Sequence, residues 1–250
     1  MRLACLLALA TLAFAQEPAF EVATVKPSTP QDRVIALETY PGGRITITNY
    51  PLIAMLFEAF HVQAFQIVGG PRWIHDDRYN VEAKPPASSQ AARFMPAYTK
   101  VPPTDEQRRM LQTLLIERFH IQFHRESREA PVYLLTRGSK ELKLQPAKDP
   151  GQYPWAGSLA GGGFSGEGMR GTNITMANLA ERLSPYVQRP VIDRTGIAGA
   201  YDFRIEYHGD TDHPDITASL FACLQALGLK LEAAKAPVQY IVIDHVEKPQ

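Results

Sequence analysis

Along the chain, short alternating apolar and polar stretches and short helical stripes follow one another in an order that occurs twice. Phe20 to Val25 alternates with the period of a strand and stops at Pro27. Val34 to Thr39 and Arg44 to Thr48 are two further strands flanking Pro41-Gly42-Gly43, a turn suited to a hairpin. A helix follows, with Asn49 as its cap, Pro51 in its first turn and Leu52, Met55, Leu56 and Ala59 as its apolar stripe. The chain returns through Phe65 to Val68 into Gly69-Gly70-Pro71, and Tyr79 to Ala83 alternates again. Thr104 and Gln107 form a capping box with Asp105 and Glu106 in the first turn, ahead of an apolar face of Met110, Leu111, Leu114 and Leu115. Two strands, Phe119 to Phe123 and Val132 to Thr136, linked by a charged turn, end this half.

The second half repeats the order. Thr175 caps a helix bearing Met176, Leu179 and Leu183; Pro190-Val191-Ile192 is a strand; Thr195-Gly196 turns; and Tyr201 to Tyr207 alternates. A helix over Ala218 to Leu227 leads through Lys230-Leu231-Glu232 to a last strand at Val238 to Ile243. Short strings recur with the order. Thr48-Asn49 returns as Thr172-Asn173, Tyr79-Asn80 as Tyr201-Asp202, and Ala130-Pro131-Val132 as Ala236-Pro237-Val238, so the offset falls from 124 through 122 to 106. The shrinkage is placed in a Pro-rich insertion, 84–103, that the second half lacks.

One-striped helices and alternating strands each need one covered face. The expected fold is therefore α+β: two layers, mainly antiparallel sheets with helices on one face, internally duplicated. The organisation read from the chain is a signal peptide at 1–15, a first half at 16–146, a Gly-rich segment at 147–171 and a second half at 172–250. The Gly-rich segment holds eight glycines and two prolines together with Tyr153, Trp155 and Phe164, and reads as a linker or as a lid over a groove.

The leading segment carries Arg2, an apolar run from Leu3 to Leu12 and Ala13-Phe14-Ala15, the pattern of a cleaved secretory signal. Its run is too short to span a bilayer, so the expectation is a secreted or periplasmic protein with no transmembrane segment after cleavage. Formal net charge is zero, which gives no basic patch for nucleic acid or an anionic membrane surface. Removing Cys5 with the signal leaves Cys223 alone, on the apolar stripe of Leu220, Leu224 and Leu227. It is therefore expected as a buried, inert thiol with no disulfide.

Candidate chemistry is sparse. The chain lacks a Gly-x-Ser-x-Gly elbow, a His-Glu-x-x-His pair, a phosphate loop and a dinucleotide fingerprint, so no catalytic residue, no metal ligand and no cofactor is assigned. His120 and His124, four apart in a predicted strand, would stand roughly 13 Å apart, too far to share an ion. His208, Asp210, Asp212, His213 and Asp215 crowd one loop without the spacing of a calcium site. Binding candidates are Asp193 and Arg194, an acid and a base at a strand end, and the aromatics Trp73 and Trp155.

Several strings together carry a family likeness: Phe20 to Ser28 (FEVATVKPS), Gly69 to Trp73 (GGPRW), Glu117 to Phe119, Arg189 to Gly196 (RPVIDRTG), Tyr201 to Phe203, Ser219 to Phe221, Lys235 to Val238 and Val242 to Pro249 (VIDHVEKP). Over nearly the whole mature chain this resembles the soil-associated family of secreted bacterial proteins built on a domain of unknown function. Phe60-His61 stands where that family tends to have Tyr-Gly, and Ile197 where Leu is usual. The resemblance implies no catalytic residues; related domains occur beside BlaR-like membrane metallopeptidase regions, which implies a sensor or binding role. The expected function is a secreted, non-catalytic binding, sensor or interaction domain whose partner is a protein or small-molecule ligand in the cell envelope. Two alternatives stand beside it: an extracytoplasmic hydrolase using carboxylates such as Asp193 or Asp202, and a structural envelope protein assembling through exposed strand edges.

Overall fold

The protein is described from a computed structural model that covers residues 17–93, 102–149, 154–159, 168–206 and 216–249. The predicted signal segment, much of the Pro-rich insertion, Tyr153, Phe164 and the His208 to Asp215 cluster lie outside the described residues. The fold is α+β, with mainly antiparallel sheets and helices, as the pattern predicted. By contacts the chain divides into two interleaved units, one of Met1–Pro51, Asp77–His120 and Lys248–Gln250, the other of Leu52–Asp76 and Ile121–Glu247.

The first unit is built on strands β1 (Val22–Pro27), β2 (Ala36–Thr39), β3 (Ile45–Pro51) and β5 (Arg78–Lys84), in the order β1-β5-β3-β2, all antiparallel. Alternation in β3 and β5 buries Ile45, Ile47, Tyr79, Val81 and Ala83. Burying each of Ile45, Ile47 and Val81 contributes about 1.5–3 kcal/mol relative to exposure. Helix α3 (Asp105–Arg118) starts at the predicted capping box, Thr104 with Gln107. Gln107 is itself buried, because its Nε2 donates to the Gly43 carbonyl at 2.9 Å. Phe119, just past the helix, meets the Tyr79 ring edge to face with centroids 5.1 Å apart.

The second unit carries helices α1 (Leu52–Phe60), α2 (Trp73–Asp76), α4 (Met176–Val187) and α5 (Ile216–Leu227), and two sheets. One sheet joins β7 (Gln145–Pro146), β8 (Trp155–Ser158), β9 (Gly168–Ile174) and β11 (Tyr201–Glu206) in the order β7-β11-β9-β8. Part of the Gly-rich segment is thus strand. The other sheet, β10-β6-β12-β4, centres on two long strands, β6 (Gln122–Arg137) and β12 (Leu229–His245), paired antiparallel along their length. Short β4 (Ile67–Gly69) lies parallel on the outer edge of β12, and short β10 (Val191–Asp193) parallel on the outer edge of β6. Strands from both sequence halves therefore share this sheet. Its core includes Leu135, Leu179, Leu183, Leu224 and Leu229, each fully buried.

Three local expectations are corrected. The two strands with a charged turn are one continuous strand, β6; Arg125 to Glu129 pair with Pro237 to Ile241 and need no turn because their side chains are at the sheet surface. His120 is not in a strand but takes a left-handed backbone, φ 47°, between α3 and β6, so it shares no strand face with His124. Asn49 does not cap α1. It sits left-handed at φ 58° in a break of the β3 ladder, gives its N–H to Asn80 Oδ1 at 2.8 Å and its Nδ2 to the Asp32 carbonyl at 2.7 Å. Thr175, in contrast, caps α4 as predicted, accepting from the Asn178 N–H at 3.1 Å.

Candidate functional site

Helix α1 ends in a Schellman turn: the Val62 N–H reaches back to the Phe57 carbonyl at 3.1 Å, and the residue between helix and loop, His61, is left-handed at φ 53°. That backbone, which favours glycine, holds the imidazole beside the Glu181 carboxylate of α4, and the two form a half-exposed ion pair when the ring is protonated. Gln63 and Gln66 extend the same wall. Gln66 is locked by the Gln63 N–H on its Oε1 at 2.9 Å and by its Nε2 on the Gln239 carbonyl at 2.9 Å.

The opposite wall is the segment Pro190 to Asp193, and the floor comes from Ala177, Ala180 and Ser184 of α4. Together they enclose a cleft of about 330 Å³ within the second unit. Ser184 is no nucleophile here. It is 3% exposed, its hydroxyl donates to the Ala180 carbonyl at 3.1 Å, and it accepts from the Val191 N–H at 2.9 Å, which holds β10 against the helix. Asp193 turns one carboxylate oxygen, Oδ1, to the N–H and hydroxyl of Thr195 at 2.9 and 2.8 Å. Its Oδ2 carries no hydrogen bond among the described residues. The polar lining thus presents His61, Glu181 and Asp193 over an apolar base.

Of the four binding candidates read from the sequence, only Asp193 lies in this cleft. Arg194 follows it but points its main chain inward, its N–H meeting the Leu135 carbonyl at 2.9 Å, and its residue is exposed. Trp73 opens α2 and is partly buried beside fully buried Ile74. Trp155 is on the edge strand β8, where the Arg170 guanidinium lies over its ring at 4.8 Å. Neither Trp lines the cleft. His61 and Glu181 were missed. For His61 a signal existed in the sequence, a histidine directly after the apolar stripe of α1; for Glu181, a lone acid on α4, there was none.

A second groove, of about 620 Å³, runs beside β11, and Asp202 belongs to it. The two carboxylates considered for hydrolysis therefore line different cavities. Both oxygens of Asp202 accept backbone N–H groups, from Asn173 at 2.8 Å and Lys148 at 3.1 Å. Cys223 is buried as expected, and burial pushes its thiol pKa up, away from the reactive thiolate. Among the described residues no group of three or more His, Cys, Asp or Glu is arranged to hold a metal ion, and no helix is long and apolar enough to cross a membrane.

Residues 53–246, more than three quarters of the chain, match the family model described as Protein of unknown function (DUF3738). No curated protein and no solved structure matches the chain.

Proposed function

The chain belongs to the DUF3738 family, and from that premise we propose that it is a non-catalytic domain that binds a small ligand in the cleft between the His61 to Gln66 loop, α4 and β10. The observation that carries this reading is the Asp193 carboxylate, which is fixed through one oxygen and leaves the other for a donor entering a cleft with an apolar base. A ligand that bears an amine or hydroxyl donor on a short apolar body suits this lining. Secretion or a periplasmic location, the soil-associated kinship and a sensor role like that implied by BlaR-like attachment are parts of the same proposal, supported by the leading segment and the resemblance.

We also infer an internal duplication. What supports it is a shared topology: β1-β5-β3-β2 and β7-β11-β9-β8 have the same order when the second set is read as the repeat of the first. Asn49 and Asn173 are both left-handed, and each gives its N–H to the side chain at the repeated position, Asn80 or Asp202, at 2.8 Å. Asp193 then stands at the repeat of Gly69, so the cleft uses a residue by which the halves differ.

The test is a thermal-shift screen of the full chain against small amines, polyols and amino sugars, repeated on Asp193→Ala. A hit is expected to raise the melting temperature of the wild type by mass action and to lose most of that shift in the variant. Hydrolytic turnover of an ester, amide or glycoside that disappears in Asp193→Ala would overturn the non-catalytic reading. Hits that bind Asp193→Ala unchanged would overturn the cleft as their seat.

A further inference from the structure

The groove beside β11 has a lining of opposite character to the cleft. Its lining joins the half-buried Leu142 and Leu144 with Lys143, Lys148 and Arg204, while Phe203, buried in the core from the other face of β11, closes it behind. The wall that presents the lysines is pinned along its length. The Lys143 N–H bonds to the Leu227 carbonyl at 3.0 Å, β7 pairs with β11 at Gln145 and Pro146, the Ala147 N–H meets the Ala200 carbonyl at 2.9 Å, and the Lys148 N–H meets Asp202 at 3.1 Å. A wall held by so many main-chain bonds is preorganised, so a ligand need not order it.

The charges in the groove are not spent on one another. Neither the Lys143 nor the Lys148 ammonium has a hydrogen-bond or ion-pair partner among the described residues. Asp202, the acid that lines the groove, has both oxygens occupied by backbone N–H groups. Among the described residues Arg204 meets the exposed Glu206, at 3.2 and 3.4 Å, a pair open to water and easily exchanged. On a chain whose formal net charge is zero, this local excess of cations over an apolar base is a specific feature rather than a consequence of composition.

We propose that this groove is a second binding site, for an organic anion: a carboxylate or phosphate group carried on an apolar body. The anion meets Lys143, Lys148 and the fork of Arg204, and the body lies on the exposed parts of Leu142 and Leu144. The site is independent of the cleft and does not rest on the function proposed for it.

Calorimetric titration of the full chain tests this with phenyl phosphate, 3-phenylpropionate, inorganic phosphate and phenethylamine as probes. The two amphiphilic anions are expected to bind, inorganic phosphate at least tenfold more weakly, and the amine not at all in this groove. Raising the salt concentration should weaken the anions. The double variant Lys143→Gln/Lys148→Gln, both exposed positions, is expected to lower anion affinity by tenfold or more with an unchanged melting temperature, while Asp193→Ala leaves anion affinity as it was. Vesicles with and without phosphatidylglycerol separate a lipid headgroup from a free metabolite as the source, since either bears the same anion. Absence of anion binding to the wild type, or affinity that survives the double lysine variant, overturns the proposal.

Discussion

The main-chain N–H of Asn173 lies 2.8 Å from the Asp202 carboxylate, and that bond holds the left-handed break in β9 against β11. The matching bond from Asn49 to Asn80 has the same length, but its surroundings differ. Asn80 also uses its amide to donate to Asp32 Oδ2 at 2.9 Å, whereas Asp202 uses its second oxygen to accept from the Lys148 N–H. One position needs a donor and an acceptor, the other two acceptors, which is why the repeated residue is Asn in one and Asp in the other.

Exchanging these side chains should therefore be costly in both directions. Asp202→Ala is expected to lose about 2 kcal/mol of stability by leaving two N–H groups without their acceptor, and Asp202→Asn about half of that. Asn80→Asp should also destabilise, because it sets a second carboxylate against Asp32. Urea unfolding curves read the three values; a set lying within about 0.5 kcal/mol of wild type would show that these bonds do not hold the breaks in the ladder.

His61 tests the left-handed end of α1. In a backbone at φ 53°, glycine is relaxed and any side chain is strained by about 1 kcal/mol, while the half-exposed pair with Glu181 is worth about 0–1 kcal/mol. His61→Gly should be as stable as the wild type or more so, and His61→Ala less stable than His61→Gly, since alanine keeps the strain and drops the pair. An alanine variant that melts above the glycine variant would contradict the strained geometry.

The prolines of the recurring Ala-Pro-Val string guard the two long strands. Tyr133 N–H bonds outward to the Pro190 carbonyl and Leu135 accepts from Arg194, so odd-numbered residues of β6 direct their main chain to the outer edge. Pro131 falls in that series. On β12 the Gln239 carbonyl accepts from Gln66, which places Pro237 in the outward series as well. Each edge thus lacks a donor where an added strand would need one, and Arg128, Lys230 and Lys235 add charge nearby. Assembly through these edges is disfavoured in the wild type. Pro131→Thr/Pro237→Thr is expected to associate at high concentration in light scattering, with the wild type unchanged under the same conditions; a variant as dispersed as the wild type would remove the prolines from this role.

Acid should weaken the fold through Asp32. The Thr29 backbone N–H, then the Asn80 amide, hold its carboxyl below the usual carboxylate range. A group whose folded pKa is depressed stabilises the fold above its unfolded value and loses that contribution as pH falls through the folded one. Stability is therefore expected to drop below about pH 4 with a component that Asp32→Asn removes. A variant with the wild-type pH profile would show that the group carries no such linkage.

The sequence was most legible where local chemistry decides structure. Thr104 with Gln107, and Thr175 ahead of its apolar stripe, marked helix starts, because a threonine hydroxyl placed there accepts from an N–H three residues on. Asn49 misled because the same side chain serves a cap and a left-handed break, and the choice lies with Asn80, thirty-one positions away. The charged centre of β6 resembled a turn because a strand exposed on its surface carries no alternation to reveal it. The cleft was half visible: Asp193 stood out as a polar strand end, but its companions His61 and Glu181 meet it only through the packing of α4, which no local pattern records.

The parallel pairing of Ile67 with Ile241 has a consequence for how the chain is made. Among the described strands β4 pairs with β12 alone, and the paired isoleucines are 174 residues apart in the sequence. An emerging polypeptide cannot complete this sheet before β12 has been made, so β4 waits without its strand partner until then. Contacts of such long separation slow folding. A chain truncated before β12 should therefore be a substrate for proteases and chaperones rather than a smaller working domain.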